Sequence, residues 1–94
     1  MPTLNPDGSM AHRRGNAKWV DSNRDFPDFT TSDNTNTPDR RTVETKAMMK
    51  FQAERHFAFS ANFHGGDVVV NYPWDTSRKQ HPLQDLVKEF SLTY

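Results

Sequence analysis

The stretch SANFHGGDVVVNYPWD, residues 60–75, organises the chain because it places a histidine on a glycine turn between two segments with the composition of strands. Residues 57–62 are short and half apolar, and residues 68–70 form a valine run too brief for a helix. Length and composition therefore predict a strand on each side of His64. The Gly65-Gly66 pair lets the backbone turn and lets another group approach closely. A lone histidine in such a place is more often structural than a ligand, so its role depends on the rest of the chain.

Length and composition indicate one small domain with a thin core. The chain has 94 residues, whereas domains typically have about 100–200. Hydrophobic residues make up 33%, against about 45–50% apolar residues, glycine included, in ordinary globular proteins. Twelve basic residues balance twelve acidic ones, and without a block of like charge we expect neither a nucleic-acid nor a membrane partner. The absence of cysteine excludes disulfides and thiolate metal sites but leaves the compartment open.

No apolar run approaches the roughly 18 residues of a membrane span. Met1 is followed directly by Pro2 rather than by the basic region and apolar stretch of a signal peptide. We therefore expect no membrane segment and no export signal in the chain as written.

Two segments carry the pattern of amphipathic helices. In residues 42–55 apolar side chains recur at i, i+4 and i+8, with Thr42 able to cap the helix and Glu44 favourable in its first turn. The apolar positions there are Val43, Ala47 and Phe51. Pro82 is suited to the start of a second helix, in which apolar residues recur at i, i+3, i+4 and i+7. That helix has no stop signal before Tyr94, which suggests a truncated chain.

The remaining segments lack periodicity. Residues 1–9 contain two prolines and an Asp-Gly pair, which predict an extended lead-in and a turn near residue 7, with no helix. Residues 11–28 crowd charged and amide side chains around a few apolar ones, as in loops that carry functional sites. Residues 29–38 are polar and of low complexity, so we expect an exposed, mobile loop without a function.

Four motifs follow one another along the chain: NPDG at residues 5–8, VDSNRDFPD at 20–28, ETKA at 44–47 and SANFHGG…NYPWD at 60–75. Together and in this order they resemble the zinc metallocarboxypeptidases, and specifically their carboxypeptidase N/E branch. The resemblance covers nearly the whole chain. Three positions depart from the family pattern: Ser22 replaces its usual leucine, Asp25 an asparagine, and Phe51 a frequent tryptophan.

The resemblance implies an α/β fold, a partial mixed-sheet zinc carboxypeptidase fold with flanking helices, in which His64 lies at a strand end. It also implies hydrolysis of the C-terminal residue of peptides by a zinc-activated water. In the family, an upstream H-x-x-E pair and the histidine of HGG, here His64, hold the zinc. A catalytic zinc needs three protein ligands and an open fourth position.

The upstream pair of zinc ligands is absent from this chain. His12, His56 and His81 have no acidic residue three places on. Asp67 follows His64 at that spacing, but two ligands on one Gly-Gly turn do not match the family's pattern, so we do not assign Asp67 as a ligand.

The resemblance gives roles to four residues of the loop that precedes the first helix. Asn23 and Arg24 match the pair that clamps the substrate's terminal carboxylate, which a planar guanidinium can hold through two hydrogen bonds. Arg14, nine residues before Asn23, matches the arginine that stabilises the oxyanion; its rival Arg13 is expected to face solvent. Asp21 matches a carboxylate that orients a zinc-binding histidine, and a loop cap is the alternative.

Two residues after the glycine turn match substrate contacts. Tyr72 resembles the family's substrate-contacting tyrosine, although an aromatic residue after a valine run could equally belong to the core. Asp75 takes the place of an acid at the floor of the pocket for the terminal side chain, where a buried carboxylate would select lysine or arginine. An ordinary turn or cap residue is the alternative for Asp75.

These observations predict a zinc-dependent metallocarboxypeptidase that acts on peptide or protein C-termini and prefers Lys or Arg. Residues 1–94 would be the central part of its catalytic domain, truncated at both ends, because the family's general-base glutamate and mobile tyrosine lie further downstream. Such a chain would be inactive alone. The resemblance suggests an extracellular or secretory location. The alternatives are a non-catalytic module that keeps the carboxylate clamp to bind peptide C-termini, and a product without a stable fold.

Overall fold

The computed structural model describes residues 3–28, 30–31, 33, 35–66, 68–75 and 77–93. Its contacts divide the chain into two units, Met1–Ser60 and Ala61–Tyr94. The first unit contains helix α1 (Pro6–Met10), a 3-10 helix (Ser22–Arg24) and helix α2 (Val43–Arg55), and the second contains helix α3 (Gln84–Thr93).

Helix α1 covers the region around residue 7 where the sequence predicted a turn, so the prediction that this segment contains no helix was wrong. Asn5 is its N-cap, and the Asn5 side-chain oxygen accepts a hydrogen bond from the Gly8 amide at 2.9 Å. Proline follows the cap, where its missing N–H removes no helical hydrogen bond. The Asn5 amide nitrogen also donates to the Arg14 carbonyl at 3.0 Å. Gly8 is buried, and a Cβ there would lie 2.7 Å from the Gly15 carbonyl oxygen. The NPDG motif is thus packed against the loop that follows it.

Helix α2 confirms the helix predicted for residues 42–55, but not the packing expected of its apolar face. Thr42 occupies the N-cap position, although its hydroxyl bonds to groups other than the helix amides. Val43 is 68% exposed and Phe51 45% exposed, whereas Thr45 is completely buried. The first unit therefore holds this helix through a polar residue near its N-terminus.

Helix α3 confirms the second predicted helix, with a start two residues later than Pro82. The residues before it form a turn instead, in which the Gln84 amide donates to the His81 carbonyl at 2.9 Å. The Leu83 amide donates to His81 Nδ1 at 3.0 Å, so the imidazole satisfies an amide at the start of the helix. The predicted continuation to Tyr94 lies outside the described residues.

The strands predicted on both sides of His64 are not observed in residues 57–66 and 68–75, so the mixed sheet is not confirmed. Val68, Val69 and Val70 are all exposed. A strand forms only when a neighbouring strand takes up its backbone N–H and C=O groups. No described segment of this chain provides such a partner.

The interior of the first unit is polar. Among the described residues no hydrophobic side chain is buried, and the buried side chains are Asn16, Ser22, Arg41 and Thr45. Where composition led us to expect a thin apolar core, the first unit instead buries hydrogen-bonded polar groups and one cation. No described helix is long and apolar enough to cross a membrane.

The polar segment of residues 29–38 has a structural role that the sequence did not indicate. Both carboxylate oxygens of Asp33 accept hydrogen bonds from the guanidinium of Arg41, at 2.6 and 2.9 Å. Arg41 is only 8% exposed, and a buried guanidinium requires such a counter-charge. The expectation that this segment has no role is therefore corrected, because Asp33 neutralises the buried Arg41. Phe29, Ser32 and Asn34 of the segment lie outside the described residues.

Candidate functional site

The side chain of Asp21 contacts two other residues that the sequence assigned to a functional site, Arg14 and Asn23. One of its carboxylate oxygens accepts from Arg14 Nε at 2.5 Å, and the other accepts from the Asn23 amide at 2.9 Å. The second contact is an N-terminal cap of the 3-10 helix that carries Asn23 and Arg24. Asp21 therefore ties Arg14 to the turn that bears the predicted carboxylate clamp.

The charge of Asp21 is stabilised by the same contacts. The hydrogen bond from Arg14 is the largest influence and lowers the pKa of Asp21; burial opposes it, and the Asn23 amide adds to the lowering. A lowered pKa means that the contribution of this carboxylate to stability is complete above its ordinary value of about 4 and is lost as the pH falls further. The contacts observed for Asp21 in the first unit are those of the loop cap considered above, and its role toward a zinc-binding histidine stays a prediction.

Asn23 and Arg24 are both exposed, as residues that bind an external carboxylate must be. Arg24 Nη1 donates to the Asn23 carbonyl at 3.0 Å, which holds the guanidinium beside its neighbour. The other Arg24 nitrogens and the Asn23 side-chain amide have no hydrogen-bond partner among the described residues. The remaining N–H donors of the planar Arg24 guanidinium and the side-chain amide of Asn23 are therefore both available to a ligand at the same place.

Arg13 and Arg14 have different environments. Arg13 donates to the carbonyls of Gly15 and Asn16 at 3.3 and 3.1 Å, and its guanidinium lies 4.2 Å from the ring centre of Trp19. Arg13 is thus held within the first unit, which corrects the expectation that it faces solvent. The Arg14 side chain is 61% exposed. Of these two arginines, Arg14 is the more exposed to solvent.

Asn16 is a buried residue of this loop that sequence reasoning missed. It is 1% exposed, and its side-chain oxygen accepts from the Lys18 and Val20 amides at 2.9 and 3.0 Å. Its amide nitrogen donates to a Glu44 carboxylate oxygen at 3.1 Å. Glu44 belongs to the ETKA motif, and the sequence had indicated for it only a favourable position in the first turn of the helix. No local pattern could reveal the contact, because the two residues are 28 positions apart.

Ser22 begins the 3-10 helix that carries Asn23 and Arg24, and it replaces the family's usual leucine. It is 7% exposed, and its hydroxyl has no hydrogen-bond partner among the described residues. A buried hydroxyl without a partner costs about 1–3 kcal/mol. This position is therefore a local weakness of the 3-10 helix.

His64 is exposed in the second unit. The described residues contain no group of three or more His, Cys, Asp or Glu side chains that could hold a metal ion. Asp67, the residue that the sequence left unassigned, lies outside the described residues. One imidazole supplies one of the three ligands that a catalytic zinc requires, so the described residues do not by themselves fit a complete zinc site.

Tyr72 and Asp75 line one open depression of about 370 Å³ in the second unit. Tyr72 is half-buried and Asp75 is exposed, so the buried pocket floor expected at Asp75 is not formed by the second unit alone. Arg78 and Lys79 line the same depression and place positive charge near the carboxylate. Arg78 and Lys79 would repel a cationic ligand, so any selectivity of Asp75 for cations must overcome this repulsion.

Comparison with known proteins identifies the family of the chain. The zinc carboxypeptidase family model matches residues 1–94. The chain is 49% identical over 77 residues to carboxypeptidase SOL1 of Arabidopsis thaliana, an alignment that covers 80% of this chain and 15% of that protein. It is 35% identical over 122 residues to human carboxypeptidase Z, covering 99% of this chain and 18% of that protein. Mouse carboxypeptidase M is 34% identical over 113 residues, covering 100% of this chain and 24% of that protein.

The chain spans less than a quarter of the length of each of these three relatives. The alignments to carboxypeptidases Z and M are longer than the 94 residues of the chain, so those relatives have residues within the matched region that this chain lacks. No solved structure matches the chain significantly. The match of the family model over the full sequence shows that the chain belongs to the zinc carboxypeptidase family.

Proposed function

We propose that this chain is the central part of the catalytic domain of a zinc-dependent metallocarboxypeptidase of the N/E branch, which removes C-terminal Lys or Arg from peptides. The observation that carries the proposal is the contact set of Asp21, which joins Arg14 to the turn bearing Asn23 and Arg24. Membership of the zinc carboxypeptidase family supports the reaction class.

The exposed groups of the first unit suit the recognition of a peptide's end. The guanidinium of Arg24 and the amide of Asn23 donate to the two oxygens of the terminal carboxylate. Holding that carboxylate fixes the position of the last peptide bond, which removes part of the entropic barrier to reaction. Recognition of the carboxylate, rather than of a side chain, restricts cleavage to the end of the substrate.

Arg14 serves the oxygen on which charge develops. Its Nε is bound to Asp21, while its terminal nitrogens have no hydrogen-bond partner among the described residues. These donors can turn toward the carbonyl oxygen of the scissile bond as it becomes negative. The carboxylate of Asp21 maintains the spacing between this arginine and the clamp.

The zinc of a complete domain would polarise the scissile carbonyl and activate a water molecule. His64 would supply one ligand in such a domain. Because the described residues do not complete the site, we assign no step of the reaction through the metal.

The non-catalytic binding module would use the same clamp. The relatives that match this chain are named carboxypeptidases, which favours the enzyme over that module.

The proposed function is tested with the full-length natural protein and a pair of peptides that end in lysine, one with a free carboxylate and one with a terminal amide. We expect release of free lysine from the first peptide only, because the amide lacks the charge that Arg24 binds. Mass spectrometry of the products measures the release. Binding of the free-carboxylate peptide without cleavage would establish the non-catalytic module instead, and cleavage of both peptides would contradict the assigned clamp.

A second prediction concerns metal binding by the 94-residue chain itself. We expect no tight zinc binding, because a single histidine leaves most of a tetrahedral shell to water. Titration calorimetry with zinc measures the affinity, and His56→Ala is a matched control for the loss of one exposed imidazole. Stoichiometric tight binding that disappears in His64→Ala and persists in His56→Ala would refute the prediction. It would indicate that His64 and Asp67 bind zinc together.

A further inference from the structure

We propose that Asp25 is a positioning residue that fixes the Asn23–Arg24 clamp by joining the 3-10 helix to the N-terminus of α2. The inference rests on the proposed function for its consequence in catalysis. The connection itself is recorded in the contacts of the first unit.

The side chain of Asp25 makes the first connection. One carboxylate oxygen accepts from the Thr42 amide at 2.8 Å and from the Thr42 hydroxyl at 2.7 Å. The Thr42 hydroxyl also lies 3.2 Å from the hydroxyl of Thr45, which is completely buried. An acceptor from the clamp segment thus satisfies an amide at the start of α2, a position where negative charge is favoured.

The backbone of Asp25 makes the second connection. Its carbonyl accepts from Arg41 Nη1 at 2.8 Å, and Arg41 is the buried cation that Asp33 neutralises. Its amide donates to the Ser22 carbonyl at 3.2 Å, which makes Asp25 the C-terminal cap of the 3-10 helix. Two consecutive residues before α2, Arg41 and Thr42, therefore hold the residue that directly follows Arg24.

The carboxylate of Asp25 is charged when it makes these contacts. Burial raises the pKa of Asp25, but the hydrogen bonds from the Thr42 hydroxyl and amide, with help from Thr45 and the charge of Arg41, outweigh burial and lower the pKa overall. Hydrogen bonds to a charged acceptor are roughly twice as strong as neutral ones. The contact between Asp25 and Thr42 is thus stronger than an ordinary loop contact.

The clamp needs this attachment to α2 because the 3-10 helix that carries it is small. A 3-10 helix of three residues has poor hydrogen-bond geometry and does not define an orientation alone. Asn23 and Arg24 are exposed, and the side chain of Arg24 bonds only to its neighbour among the described residues. Helix α2, with 13 residues, is the longest regular element of the first unit. Attachment to it through Asp25 gives the clamp a fixed direction.

The test uses the full-length natural protein with Asp25→Ala and a matched control, Asp28→Ala. Asp28 accepts the same pair of groups from a threonine, the Thr30 amide at 2.9 Å and hydroxyl at 2.7 Å, and both hydrogen bonds lie within its own loop, although the charge of Arg24 also acts on this carboxylate. We measure kcat and KM with a lysine-ended peptide, together with amide hydrogen exchange of residues 22–25. Asp25→Asn keeps one side-chain oxygen that can accept both hydrogen bonds.

We expect Asp25→Ala to raise KM about tenfold with a smaller change in kcat, and to speed exchange at residues 22–25 about tenfold, the effect of losing hydrogen bonds to a charged group. Asp28→Ala should change the exchange at residues 22–25 less than about twofold and should raise KM less than Asp25→Ala does, because its link to the clamp among the described residues is the charge of Arg24. Asp25→Asn should recover part of the loss. Equal effects of the two alanine variants, or a fall in kcat with unchanged KM and unchanged exchange, would overturn the proposal.

Two further outcomes remain decisive. If Asp25→Ala does not fold, Thr42→Val removes only the hydroxyl donor with little change of shape, and an unchanged KM and exchange rate in that variant would overturn the proposal. If the natural protein cleaves no peptide, the proposed function fails. The exchange comparison between Asp25→Ala and Asp28→Ala then still decides whether Asp25 holds the clamp segment.

Discussion

Replacement of Asp75 by alanine in the full-length natural protein is expected to lower kcat/KM for peptides ending in Lys or Arg about tenfold to a hundredfold, and to leave peptides ending in Leu nearly unchanged. A charge-assisted hydrogen bond contributes on the order of 1.5–3 kcal/mol, which corresponds to that range of discrimination. The carboxylate lines an open depression with Arg78 and Lys79. The lower end of the range is expected if these two cations keep their places near Asp75 in the complete enzyme.

Arg24→Ala is the matched control for this measurement. Every substrate of a carboxypeptidase has a terminal carboxylate, so removal of Arg24 should weaken Arg-ended and Leu-ended peptides alike. The comparison needs kcat/KM for both peptides in both variants. Equal losses on the two peptides in Asp75→Ala would show that Asp75 is a turn residue and not the selector.

The isolated 94-residue chain is expected to show no cooperative thermal transition. Ordering of the backbone costs roughly 1–2 kcal/mol per residue, and burial of apolar surface is the main term that offsets it. Among the described residues no hydrophobic side chain is buried, and Trp19, Phe57 and Leu92 are at least half exposed. A hydrogen bond contributes about 0.5–1.5 kcal/mol, or about 1.5–3 kcal/mol when one partner is charged. Contacts of this size offset the ordering of only a few residues and cannot replace an apolar core.

Circular dichroism during heating and the dispersion of amide signals in solution measure the folding of the isolated chain. The full-length natural protein, heated under the same conditions, is the control and should melt cooperatively. A sharp transition and dispersed amide signals from the 94-residue chain would contradict the expectation, and would mean that the polar interior of the first unit suffices for stability.

The two longer helices could be predicted from the sequence because their signals are local. Each helix has periodic apolar residues in its own segment. A threonine directly precedes α2, and a proline lies shortly before α3. Helix α1 was missed for a local reason as well. The prolines and the Asp-Gly pair indicated a turn, whereas the Asn5 cap and the close contact of Gly8 with Gly15 favoured a helix.

The strands around His64 show the limit of local composition. Three successive valines have a high propensity for strands, yet residues 68–70 form none in the second unit. Strand propensity describes the fit of a side chain to a sheet that already exists, and no described segment supplies the neighbouring strand. The prediction of the mixed sheet therefore still depends on the resemblance to the family.

The sequence by itself identified the family and the two longer helices, and it suggested the site residues, because motifs and periodicity are properties of neighbouring residues. Only the tertiary structure decided which residues are in contact. Asp21 joins Arg14 to the clamp, Asn16 reaches Glu44, and Asp25 reaches Thr42. The latter two contacts link residues 28 and 17 positions apart. Such contacts depend on which distant segments the fold brings together. A buried polar group forms hydrogen bonds with the partners that then lie within reach.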